Sequence, residues 1–196
     1  MTKGRYIAIR AFKDSLPILM GYGSMGFAAG VLIAARSAAQ APAVWSGLLA
    51  VTSFSGTLQF AITDPMRENA SLWAIALLVL AISFRYALYG FALLARLSGI
   101  TLWKKMFLIW CLTDENFALE STAKFARQAD FVRYSLTLCL FTLTYWTCGC
   151  TLGALAGEKL PIPDKGMEFA MVALFIAIFT DQAKALYLGW RKERAS

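Results

Sequence analysis

Thr113-Asp114-Glu115-Asn116 follows directly on the apolar run Met106 to Leu112, and Arg85 stands inside a second apolar stretch, Leu72 to Ala95. A carboxylate at the centre of a membrane helix costs on the order of 3 kcal/mol, so two in succession are tolerated only against protein, a counter-ion or water. Arg85 is the natural counter-charge. A guanidinium grips a carboxylate through two parallel hydrogen bonds, and a free amino acid presents such a carboxylate. Asp114 and Glu115 point about 100° apart on a helix, so one of them pairs with Arg85 while the other attracts a substrate ammonium or carries a proton. The sequence leaves open which does which. Tyr89 and Arg96 share a helical face with Arg85, which places Tyr89 for polar positioning and Arg96 near a membrane surface. Gln59 offers both a donor and an acceptor, to a substrate or to a neighbouring helix.

The elements that hold these residues must be membrane helices. Of 196 residues, 59% are hydrophobic and 16% charged, against roughly a quarter charged in soluble domains, and the mean hydropathy is +0.58. The net charge of +7 does not indicate nucleic acid. Lys and Arg are scattered between apolar stretches and form no basic face interleaved with aromatics. The chain contains no His, which excludes a Ser-His-Asp triad, and it has no Gly-rich nucleotide loop or zinc cluster. Neither an enzyme nor a bound cofactor is expected. Cys111, Cys139, Cys148 and Cys150 all fall in apolar stretches and are expected as buried free thiols.

Apolar runs predict an all-α polytopic membrane bundle of about six transmembrane helices in a single domain, at about 15–36, 42–63, 70–95, 102–122, 133–157 and 166–189. The first run is about 20 residues long, above the ~7–15 of a signal-peptide core, so it is expected to stay as a span. With a cytoplasmic N-terminus, six spans put Arg36, Arg96, Lys104, Lys105, Lys159 and Lys165 outside. All other Lys and Arg except Arg85 then lie inside, which fits the positive-inside rule. Dropping only the fourth span reverses that bias. Both termini are therefore expected in the cytoplasm. Pro17 is expected in the first turn of the first span, and Gly26-x-x-x-Gly30 as a close-packing face.

Three spans followed by three permit a 3+3 inverted repeat. The second span of each half carries small and polar residues, Ser53-Phe54-Ser55-Gly56-Thr57 and Thr147-Cys148-Gly149-Cys150-Thr151. Helix breaks are expected at Gly56 and Gly149. Trp45, Trp73, Trp103 and Trp190 lie near predicted span ends, as an interfacial belt requires, whereas Trp110 and Trp146 are expected to line the interior.

Several segments together resemble the AzlC family. They are Leu16-Pro17-Ile18 with Gly21-Tyr22, Ser55 to Phe60, Phe84-Arg85-Tyr86-Ala87-Leu88-Tyr89-Gly90, Thr113 to Leu119, Tyr145-Trp146 with Gly149 and Gly153, and Glu168-Phe169 through Ala173-Leu174-Phe175. Where family members often carry Arg-His in the third span, this chain has Arg85-Tyr86. Members also commonly continue past the sixth span, so the resemblance implies that this chain, ending at Ser196, is expected to be a short natural form or a truncation. The resemblance implies a bacterial inner-membrane exporter of branched-chain or related apolar amino acids, working with a small AzlD-type membrane subunit. Proton coupling through Asp114 or Glu115 fits that implication. The competing readings are a non-transporting membrane scaffold or regulatory subunit, and a membrane enzyme using Asp114 and Glu115 as acid and base.

Overall fold

The computed structural model describes residues 2–36 and 40–160 and, beyond them, Gly166, Phe169, Val172, Ala173, Ile176, Thr180 and Lys184. The stretch expected as a sixth span lies for the most part outside the described residues, as does Trp190. Among the described residues the chain is all-helical: α1 (Lys3–Arg36), α2 (Pro42–Ser53), α3 (Gly56–Arg67), α4 (Leu72–Leu93), α5 (Leu102–Trp110), α6 (Asp114–Thr122) and α7 (Gln128–Lys159). α1, α4 and α7 are long and apolar enough to cross a membrane. At 1.5 Å per residue, α4 is about 33 Å long, close to the ~30 Å hydrocarbon core, and α1 is about 50 Å.

α1 starts well before Pro17, which sits in its interior rather than in a first turn. The reason is the preceding segment, whose Ile7, Ala11, Ser15, Ile18 and Tyr22 recur at helical spacing and are all buried. This face continues the helix against α7. The two helices run parallel, with Lys3 bound to Asp130 at 2.6 Å and the Tyr134 hydroxyl donating to Asp14 at 2.9 Å. Further along, Gly26 and Gly30 lie against the backbone from Trp146 to Ala154, and Gly157 against Val31. Small residues there let the two backbones approach closely.

The stretches expected as second and fourth spans are not continuous helices. Each consists of two short helices joined by a reversal of the chain. α2 begins with Pro42 in its first turn, a position where the missing N–H costs nothing. It descends along α7, with the Ser46 hydroxyl donating to the Cys150 carbonyl at 3.1 Å. It ends at Phe54, whose φ of 40° is left-handed. α3 then returns beside it. The Gln59 amide donates to the Ser46 carbonyl at 3.3 Å, and Asp64 reaches Arg36 at the far end of α1 at 3.0 Å. α5 and α6 form the second such hairpin, entering from the opposite end. Ile109 on α5 packs over Gly90 of α4, Asp114 at the head of α6 meets Arg85, and the Arg96 guanidinium caps α6 through the Glu120 and Ala123 carbonyls.

The helical bundle is thus built from through-helices and two hairpins of half-helices, with reversals at Phe54-Ser55 and Cys111-Thr113. The first reversal falls immediately before Gly56, the first residue of α3. Gly149 is different, because α7 runs unbroken through it. An added Cβ there would sit 2.9 Å from the Tyr22 carbonyl oxygen, so this glycine serves close packing. The breaks occupy the second and fourth elements, positions that do not correspond in a three-plus-three division.

The hairpins also change which loops share a side. Thr2 and Ser98 lie at one end of the bundle and Glu68 at the other. In sealed vesicles, cysteines replacing Thr2 and Ser98 should react with an impermeant maleimide from the same face, and one replacing Glu68 from the opposite face. Six through-spans give the reverse for both loops, so labelling of Ser98→Cys from the face opposite Thr2→Cys sinks the hairpin topology.

Candidate functional site

The tips of both hairpins and the middle of α4 converge on one cleft, lined by Gly56, Thr57, Arg85, Tyr86, Asp114 and Glu115 and walled by Tyr22, Met25, Phe54 and Trp146. Local chemistry sets each tip. Ser55 accepts from the Leu58 amide at 3.3 Å and Thr113 from the Asn116 amide at 3.3 Å, so each half-helix is N-capped by a hydroxyl. Both helix N-termini, with their unpaired first amides and positive dipole ends, therefore face the same space.

Arg85 lies between them. Its Nη1 donates to Asp114 Oδ2 at 2.8 Å, and its Nη2 donates to Thr57 Oγ1 at 2.9 Å and to the Tyr86 hydroxyl at 3.0 Å. Its Nε is buried without a hydrogen-bond partner. Tyr89 donates to the other oxygen of Asp114 at 2.7 Å. The carboxylate that meets Arg85 is thus Asp114, while Glu115 turns to α1, where the Tyr22 hydroxyl lies 2.8 Å from both Glu115 Oε2 and Thr113 Oγ1. One phenolic proton cannot serve both oxygens, so Tyr22 donates to one and accepts from the threonine when the proton goes to the glutamate.

Gln59 is not at the cleft. It is 1% exposed, bound to the Ser46 carbonyl and accepting from the Trp146 indole at 2.9 Å. Its role is to hold Trp146, whose ring closes the cleft 3.0 Å from where a Cβ on Gly56 would stand. Trp146 lines the interior as expected from its distance to the span ends. Tyr22, Tyr86 and Thr57 were missed as site residues because nothing in a single tyrosine or threonine in an apolar run marks it. Also unforeseen is Glu120, 3% exposed on the α6 face turned toward α7.

The cysteines depart from the all-thiol expectation. Cys111, at the end of α5, is joined to Cys139 of α7 in a disulfide with a Cα separation of 5.9 Å, while Cys148 and Cys150 are free. The reversal brings Cys111 against α7, which the sequence separation of 28 does not reveal.

The family profile described as AzlC protein matches residues 17–160, most of the chain and all of the cleft. The chain belongs to the AzlC family. Relatives in that family include an uncharacterized membrane protein of Helicobacter pylori, 30% identical over 90% of this chain and 77% of that protein. Another is the inner membrane protein YgaZ of Escherichia coli, 31% identical over 84% of this chain and 69% of the relative. The branched-chain amino acid transport protein AzlC of Bacillus subtilis is 27% identical, over 94% and 68% respectively. No solved structure matches the chain. AzlC membership and helices long and apolar enough to cross a membrane make this a membrane protein.

Proposed function

We propose that the protein exports branched-chain and related apolar amino acids, among them leucine, isoleucine, valine and methionine, across the bacterial inner membrane. It does so by alternating access, coupled to protons and with a small AzlD-type membrane subunit as partner. The observation that carries this reading is the Arg85–Asp114 pair held where two half-helix N-termini meet, a construction suited to a zwitterion. The substrate carboxylate takes Arg85, whose buried Nε is an unused donor, and the first amides of α3. Asp114, released from Arg85, is then free to face the ammonium or accept a proton, with Glu115 as the second carboxylate. The name of the Bacillus subtilis relative supports the substrate class.

Orientation follows from charge. Lys3, Arg5, Arg10, Lys13, Arg96, Lys104, Lys105, Lys124, Arg127 and Arg133 gather at the Lys3 end of the bundle, against Arg36, Arg67 and Lys159 at the other. Among the described residues that bias is stronger than six through-spans give, and it supports the Lys3 end as the cytoplasmic one. One charge moved across 100 mV is worth ~2.3 kcal/mol, enough for roughly fiftyfold accumulation.

The space inside the cleft is about 40 Å³, room for about three waters and not for leucine, so this conformer is closed and the tips must part to admit substrate. The test is efflux of radiolabelled leucine, valine and methionine from sealed vesicles, with and without a co-expressed small membrane subunit. Efflux is expected above that of vesicles lacking the protein. No movement of any of the three, with the subunit present, sinks the proposal.

A further inference from the structure

Each hairpin follows a through-helix, giving two units, α1 with α2–α3 and α4 with α5–α6. The two through-helices share a pattern 64 positions apart: Tyr22-Gly23-Ser24-Met25-Gly26-Phe27 and Tyr86-Ala87-Leu88-Tyr89-Gly90-Phe91, both Tyr-x-x-x-Gly-Phe. In each, the glycine is where another helix packs, α7 over Gly26 and α5 over Gly90. α1 and α4 run in opposite directions and their hairpins enter from opposite ends, which is the relation of an inverted pair.

The hydrogen bonds obey the same relation independently of the sequence pattern. Tyr86 of the second unit meets the capping hydroxyl of the first hairpin, Ser55, at 2.8 Å. Tyr22 of the first unit meets the capping hydroxyl of the second hairpin, Thr113, at 2.8 Å. Each tip also gives its second helical residue to the opposite unit's through-helix, Thr57 to Arg85 and Glu115 to Tyr22. The cleft is therefore closed from each end by one hairpin, and each hairpin is latched by one tyrosine from the other unit.

We infer that Tyr22 and Tyr86 are the paired latches of two gates. Tyr86 with Ser55 holds α2–α3 shut toward the Arg36 end, Tyr22 with Thr113 and Glu115 holds α5–α6 shut toward the Lys3 end, and transport opens them in turn. The inference deepens the proposed transport function and rests on it. Both latches are made here, in keeping with the small closed cleft. Losing one hydrogen bond shifts an open–closed equilibrium by about fivefold.

The test uses Met25→Cys as a reporter in the cleft, with the exposed native thiol removed by Cys148→Ser. Membrane-impermeant maleimide is added to right-side-out or inverted sealed vesicles. Tyr86→Phe is expected to raise labelling from the Arg36 face about fivefold relative to the Lys3 face, and Tyr22→Phe to do the opposite. Ser55→Ala, which removes the first latch from the hairpin side, should follow Tyr86→Phe. If both tyrosine variants shift labelling toward the same face, or neither shifts it, the latches are overturned. Labelling needs no substrate, so the two readings fail separately. Unchanged labelling with intact leucine efflux removes the latches alone, whereas the expected shifts without efflux of any amino acid keep the latches and remove transport.

Discussion

Asp114→Asn is expected to reduce leucine efflux to that of vesicles lacking the protein while leaving membrane abundance within about twofold of wild type. The side chain keeps its size and its place at the head of α6, but it no longer neutralises Arg85 2.8 Å away and cannot carry a proton. Both side chains are about a third exposed, 29% and 34%, so solvent screening limits the loss of stability. In the proposed transport cycle efflux is expected to suffer more, because that cycle needs the carboxylate free to exchange partners. The double variant Arg85→Gln with Asp114→Asn separates the roles. It removes the uncompensated guanidinium that makes breaking one side of a pair costly, and it is expected to keep abundance at the wild-type level without efflux. Recovery of efflux in the double variant would reduce the pair to a structural clamp between α4 and α6.

Gly153→Leu is expected to remove the protein from the membrane fraction altogether. A Cβ at Gly153 already overlaps the Phe27 backbone of α1, so the clash is with main chain that cannot turn aside. The cost therefore exceeds the ~1–3 kcal/mol of ordinary overpacking. Gly21→Leu is the control on α1 away from the seam: a Cβ there meets nothing within 4 Å, and abundance should hold. Quantitative immunoblotting of washed membranes reads both. Equal abundance of the two variants would mean that α1 and α7 are not held backbone to backbone.

These two cases mark how far the residues alone disclose the molecule. Arg85 and the Asp114-Glu115 pair announce themselves, because charge in an apolar run has few ways to be tolerated. Their pairing was open because adjacent helical carboxylates diverge by about 100°, and only the capping of α6 by Thr113 fixes which one faces α4. Gly26 and Gly30 read correctly as packing positions. Gly149 did not, since a small residue in an apolar run looks the same whether it breaks a helix or admits a neighbour. The hairpins were hidden for a related reason. Residues 42–63 and 102–122 are long and apolar enough to pass for spans, and what turns them is a left-handed Phe54 and a hydroxyl cap, features without a hydropathy signature. The Tyr-x-x-x-Gly-Phe pattern was present in the sequence, but a division into three and three sets it out of register.

The parallel α1–α7 seam has a consequence for how the molecule is made. Gly26 and Gly149 are roughly 120 residues apart, which at ~5–20 residues per second is on the order of 6 to 25 seconds of synthesis. During that interval α1 has entered the bilayer with its glycine face open to lipid, while both hairpins and the Arg85–Asp114 contact have already emerged. Among the described residues the closest backbone approach, α1 on α7, thus forms only after both hairpins have been made, and a ribosome that stalls before residue 128 leaves behind a helix with no partner for that face.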